Sequence, residues 1–162
     1  MPVRVEQNAQ YRAVMGNFPT GVVVVTGMSD GVPVGLTVQS FMSLSLDPPM
    51  VLLSVDRKST TWPLIAAGAR FAVNVMASDQ QAVALAFAKS GTDKFAGMRW
   101  DLAPVTGAPL LSGCQAWVEA QVVDTFDGGD HVIVTADVLS MRPGDDGSEP
   151  LVFFRSNFRR LE

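Results

Sequence analysis

Four consecutive residues, Arg57-Lys58-Ser59-Thr60, place two cations and two hydroxyls between an apolar run and a segment of helical character. Free amides at a helix start, the helix dipole and adjacent cations are what hold a phosphoryl group. The same residues also make an ordinary solvated turn with a helix cap. Upstream, Thr37, Val38, Gln39, Ser40 and Phe41, followed by Ser43 and Ser45, offer hydroxyls and backbone groups. They suit either the wall of a pocket for a flat ligand or the polar side of an amphipathic edge strand. His131, the only histidine, follows Gly128-Gly129-Asp130. An imidazole at a strand start can donate to an amide or carbonyl of a bound ring, and glycines beside it let the ring approach the backbone. The plainer alternative is a histidine on the polar face of a sheet, with Asp130 either steering the imidazole or finishing the turn. Lys89 and Lys94 could reach an anion or be solvated; Phe154, Arg155 and Phe158 could cover a ligand or pack in an interface.

What is missing narrows the chemistry. No nucleophile–base pair and no paired carboxylates are evident, so an enzyme built on this chain needs a cofactor to carry its reaction. One histidine and one cysteine, Cys114, argue against a His-rich or CxxC metal centre, and Cys114 cannot form an intrachain disulfide. Cys114 reads as a small buried apolar residue, and Trp62, Trp100 and Trp117 as core or interface. A net charge of −4 gives no general attraction to nucleic acid or to an anionic membrane, so any anion site must be made locally. There is no GxGxxG or GxxxxGK[ST] sequence. The N-terminus lacks an apolar signal region and no apolar run reaches membrane-spanning length, which predicts a soluble cytoplasmic protein.

The elements that must position these residues follow from periodicity. The 162 residues suit one domain, 1–162, and the 48% apolar content excludes disorder. The charged fraction of 17% is low; a face covered by another chain and a rich core both account for it. Tyr11, Val14, Met15 and Phe18 predict a packing helix over 8–18, capped by Asn8 and stopped by Pro19. Strands are predicted at 22–26 and 32–38 around the turn 29–31, with Pro33 placing the second at an edge or a strand start. Alternation over 42–46 predicts a half-buried strand, and 50–55 a buried one, joined by Asp47-Pro48-Pro49. Ser59 or Thr60 should cap a helix containing Pro63 and stopped by Gly68. A strand over 71–76 and a helix opened by a capping box of Ser78 and Gln81 come next, with Val83 and Phe87 on one side. Residues 92–113 read as a long surface loop. A hairpin of 115–126 with 131–139, a polar turn over 144–149, a last strand at 151–154 and a basic tail complete the chain. Four strands before any long helix point to an antiparallel sheet or small barrel.

FPTGVVVVT at 18–26, GLTVQSFMSLSLDPPMVLLSVDRKSTTW at 35–62, FAVNV at 71–75, DKFAG at 93–97, GGDH at 128–131 and LVFFRSNFRRL at 151–161 occur in one order. Together they resemble the flavin reductase family of the FMN-binding split barrel, the reductase partners of two-component flavin-dependent monooxygenases. The resemblance implies a mainly β fold with short helices, an antiparallel Greek-key split β-barrel. It also implies a homodimer that binds FMN or FAD near its interface and takes hydride from NADH or NADPH. Reduced flavin would pass to a separate monooxygenase. By the same resemblance Thr37, Val38, Gln39, Ser40 and Phe41 would line the isoalloxazine and ribityl chain, with Ser43 beside them. Ser54, Val55, Asp56, Arg57, Lys58 and Ser59 would hold the flavin phosphate, and Phe87, Ala88 and Lys89 would border the flavin. His131 would contact the nicotinamide, and Arg155, Ser156, Asn157 and Phe158 would help hold its nucleotide. Family tails often carry Gly and Tyr where this chain has Ser156 and Phe158, which removes a hydroxyl there. Gln39 occupies a variable position and does not select between flavins. The other functions open to such a barrel are a non-enzymatic flavin- or haem-binding module and an oxidase or deazaflavin-dependent reductase that retains its cofactor.

Overall fold

A computed structural model describes residues 5–145 and 147–161. Residues 1–4 of the N-terminus, residue 146 of the polar turn and residue 162 of the tail lie outside the described residues. In chain order the elements are α1 (Val5–Met15), β1 (Thr20–Gly21), β2 (Val23–Ser29), β3 (Val32–Val38), β4 (Met42–Leu46) and β5 (Pro49–Asp56). They continue with α2 (Trp62–Gly68), β6 (Arg70–Val75), α3 (Gln81–Ala88), β7 (Trp100–Leu102) and β8 (Pro109–Leu111). The last are β9 (Ala116–Gly128), β10 (His131–Pro143), β11 (Val152–Phe154) and β12 (Asn157–Arg159).

Seven strands form one antiparallel sheet in the order β3-β2-β6-β9-β10-β5-β4. The sheet curls until β3 meets β5. Ser40 bridges that split: its hydroxyl donates to the Ser54 carbonyl at 2.6 Å and accepts from the Ser54 amide at 3.0 Å. The chain is thus mainly β, an antiparallel split barrel with short helices.

Two apolar layers account for the continuous burial of β2. Val23 and Val25 face an inner core with Leu53, Val55, Phe71, Val73 and Val134, into which α2 sends Trp62 and Ile65. Val22 and Val24 face an outer core with Met76, Ala84, Phe87, Leu111 and Leu151. A strand covered on both faces has no polar side, so its sequence is a valine run and not an alternation.

Several expectations change. Helix α1 starts before Asn8 and ends at Met15, and its apolar residues Tyr11, Val14 and Met15 are exposed, as is Phe18 beyond it. Strand β4 is an edge strand whose Met42, Leu44 and Leu46 are exposed and not half-buried, because none of the described residues covers that face. Strand β5 is buried only at alternate residues, Val51, Leu53 and Val55. The cap position of α2 is Thr61, not Ser59 or Thr60, and makes no side-chain capping bond, although the Ser59 hydroxyl accepts from the Trp62 amide at 3.1 Å; the left-handed residue at the helix end is Ala69, not Gly68. The capping box before α3 does not form: the Ser78 amide donates to the Glu149 carbonyl, and Gln80 accepts from the Ala77 amide.

Residues 92–113 are not a bare loop. They contain the β7–β8 hairpin, and a buried polar network fixes it. Asn74 donates to the Val24 carbonyl and the Thr26 hydroxyl, at 3.0 Å each, and accepts from the Leu111 amide at 2.8 Å. Thr26 donates to the Pro109 carbonyl. Buried Glu119 accepts from the Val105 and Thr106 amides and the Thr106 hydroxyl. The basic tail also folds, as β12 on β11, turning through Arg155 and Ser156, both with positive φ.

Candidate active site

The split between β3 and β5 opens into a cleft of about 270 Å³. Leu36, Thr37, Val38, Gln39 and Ser40 line it from β3 and the residues after it. Ser54, Val55, Asp56 and Ser59 line it from β5 and the turn that follows, and His131 borders it from β10. Strand β3 ends the sheet, so its outer backbone amides and carbonyls have no neighbouring strand. Such a wall suits a flat heterocycle whose edge carries both donors and acceptors. Not every side chain there is free. The Thr37 hydroxyl donates to the Ala84 carbonyl of α3 at 2.6 Å, so Thr37 contributes backbone and hydroxyl lone pairs.

The turn after β5 is built differently from the sequence expectation. The Asp56 carboxylate accepts from the Lys58 amide at 2.8 Å, and the Ser59 amide donates to the Asp56 carbonyl. Arg57 turns away from the cleft toward the 127–131 hairpin. Its amide donates to the Asp130 carbonyl, its Nε donates to the Gly129 carbonyl at 2.8 Å, and its guanidinium pairs with Asp127. Of the two expected phosphate cations, Arg57 therefore clamps the hairpin, and Lys58 remains exposed at the corner.

That clamp sits beside the imidazole. His131 pairs across the strands with Asp56 and with Gly128. Its Nδ1 lies 2.7 Å from the Asp130 carboxylate. The hydrogen bond from His131, reinforced by its charge, holds the Asp130 carboxyl below the usual range. The contact presents the other ring nitrogen, Nε2, away from Asp130, and Gly129 takes the positive φ that the turn requires.

Other expected site residues lie elsewhere. Phe41 packs against the inner core, and Ser43 is exposed on β4. Phe87 is fully buried beneath Gly35, edge-on to Phe95 at 4.8 Å, and offers no surface to a ligand. Ala88 and Lys89 are exposed where α3 ends. Arg155 is held away from the cleft: its Nε donates to Asn17 at 3.0 Å, its amide to the Gly16 carbonyl, and its guanidinium lies 4.8 Å from the Phe154 ring. Ser156 and Asn157 are exposed in the same hairpin, and Phe158 packs on Phe153. This hairpin braces the end of α1 and does not line the cleft.

The brace matters because α1 forms a wall the sequence did not reveal. A second concavity of about 580 Å³ shares Ser54 and His131 with the cleft and is lined further by Asn8, Tyr11, Arg12, Gly128, Asp130 and Ile133. His131 thus stands where two spaces meet, as a reaction between two bound molecules requires. Local patterning assigned Tyr11 to packing and Asn8 to a helix cap and gave no signal for Arg12, since their place at this wall depends on where the helix lands. Among the described residues no cluster of three or more metal-ligating side chains occurs, and no helix is long and apolar enough to cross a membrane.

Residues 15–162 match the flavin reductase like domain. The chain is 39% identical over 153 residues to the reductase subunit HsaB of a flavin-dependent monooxygenase from Rhodococcus jostii, covering 94% of this chain and 77% of that one. It superposes on nitrilotriacetate monooxygenase component B from Mycobacterium thermoresistibile with a TM-score of 0.95 at 37% identity, covering 99% of this chain and 89% of that one. The NADH:FAD oxidoreductase SgcE6 of Streptomyces globisporus, solved with NAD and FAD fragments, gives a TM-score of 0.91 at 35% identity, covering 100% and 97% of the two chains.

Proposed function

Because the chain belongs to the flavin reductase like family, we propose that it is an NAD(P)H:flavin oxidoreductase that reduces free FMN or FAD and supplies the reduced flavin to a separate flavin-dependent monooxygenase. The observation that carries this reading is the position of His131 at the junction of two adjoining concavities. One suits the flavin ring and the other the nicotinamide of NADH or NADPH. When both are bound, the chemistry is transfer of a hydride from the nicotinamide to the flavin.

The residues of the chain need only bind and orient. Backbone groups of residues 36–40 and the Ser54–Asp56 segment hold the flat ring, with Ser59 and Lys58 toward its phosphorylated end. Backbone donors at the edge of the ring favour the charge that reduction places there. His131, steered by Asp130, positions the nicotinamide carboxamide, and placing two rings face to face removes much of the entropic barrier. The β11–β12 hairpin acts through α1, which walls the nicotinamide side. The exposed apolar faces of α1 and β4 fit a homodimer, and the reading goes with a cytoplasmic setting.

The test is a grid of NADH and NADPH against FMN, FAD and riboflavin, followed by nucleotide oxidation. Oxidation that depends on added flavin is expected. No oxidation in any combination, or oxidation with tightly retained flavin and no response to added flavin, would overturn the proposal.

A further inference from the structure

A groove of about 390 Å³ adjoins the cleft past its Leu36 and Ser59 end. The same two walls run on: Val34 and Gly35 precede Leu36 on β3, and Thr60 and Thr61 follow Ser59. The third wall is the segment after α3, with Ser90, Thr92 and Lys94. At about 3.3 Å per residue, the seven residues of β3 give the joined channel a length of roughly 20 Å. That exceeds what a flavin mononucleotide needs from its ring to its single phosphate. The lining is mixed: apolar side chains such as Val32 and Phe95 suit an adenine, the threonine and serine hydroxyls and the Lys94 ammonium suit a ribose and a diphosphate, and the Asp93 carboxylate also borders it.

Lys94 is the informative residue. Its Nζ donates to the Gly35 carbonyl at 2.9 Å and approaches the Thr61 hydroxyl at 3.4 Å, which leaves ammonium donor capacity toward the groove. No carboxylate pairs with it among the described residues. The nearby Asp93 carboxylate accepts from the Phe95 amide instead. Burial lowers the Lys94 pKa, the response of a cation short of a counter-charge. An anion in the groove would supply that charge.

Resting on the flavin reductase reading, we propose that this groove binds the adenosine diphosphate half of FAD, with Lys94 on the diphosphate, and that FAD is therefore the preferred flavin. The nicotinamide nucleotide carries the same chemical group, but His131 borders the cleft from β10, whereas the groove extends from the Leu36 and Ser59 end. The two sources give different inhibition patterns.

Titration of the full-length protein with each flavin, without nucleotide, measures affinity directly. FAD should bind about tenfold or more tightly than FMN. Lys94→Met should bring the FAD to FMN affinity ratio close to one, and Thr92→Val, in an exposed segment that tolerates change, should lower it by a smaller factor. In the unaltered protein, ADP should inhibit turnover competitively with FAD and not with NADH. Equal or tighter binding of FMN would overturn the proposal, as would an unchanged ratio in both variants or ADP inhibition competitive with NADH. In each of those cases flavin-dependent nucleotide oxidation would survive. Failure of either flavin to bind or be reduced would remove the reductase reading as well.

Discussion

At the residue scale, the geometry separates two roles that the sequence placed together. Arg57 lies in the run expected to hold phosphate, yet all three of its contacts go to the hairpin carrying His131. His131→Ala should raise the KM for NADH or slow turnover about tenfold or more while leaving the flavin Kd nearly unchanged. Arg57→Ala should shift the same nicotinamide parameters by a smaller factor, with partial rescue in Arg57→Lys. A rise in flavin Kd alone for Arg57→Ala would return that side chain to the phosphate. Cys114 offers a test by pH. Burial pushes its thiol up from 9.0 to about 11, so the folded state keeps the proton longer than the unfolded one. This contribution is fully present below the unfolded value and is lost as pH rises from about 9 toward 11. Since the thiolate is the nucleophile, a thiol reagent at pH 8 should react slowly with native protein and promptly in denaturant. Equal rates would contradict the burial.

Elements show why some structure was legible and some was not. Strands whose two faces differ, such as β9 and β10, announce themselves by alternation, and the doubly covered β2 announces itself by a valine run. Pro33 placed β3 at an edge or a strand start; the strand is an edge, and that edge forms a wall of the cleft. The β7–β8 hairpin carried no such signal. Its strands are three residues each, and its anchors, Asn74, Thr26 and Glu119, are polar residues in distant strands. No window of sequence around residues 92–113 contains them. Asn74→Ala would leave the Leu111 amide without its partner in a fully buried position, at a cost of roughly 1–3 kcal/mol. Chemical denaturation measures that cost, and a loss below half a kcal/mol would show that the network does not hold the hairpin. The tail failed for a related reason: Arg155 and Ser156 take positive φ without being glycine, so the turn between β11 and β12 lacked its usual marker.

For the whole molecule, the ordered motifs were enough to place the family and the barrel, because they fall on the strands that make the split. They were not enough to find the second concavity, which needs α1 and the tail hairpin to come together. The exposed apolar residues Tyr11, Val14, Met15 and Phe18, with Met42, Leu44 and Leu46, suit burial in a homodimer. Light scattering should give twice the 17.3 kDa chain mass, and Val14→Asp combined with Leu44→Glu should reduce it toward one chain. A monomer before substitution would assign those faces to something other than a second copy. As a flavin reductase, the chain should turn over free flavin and not keep it. Anaerobic mixing of NADH and excess flavin with a small amount of protein tests it most directly, by following the oxidised-flavin absorbance. Bleaching of many flavins per chain is predicted. Bleaching that stops at one flavin per chain, or does not exceed the rate without protein, would contradict turnover of free flavin.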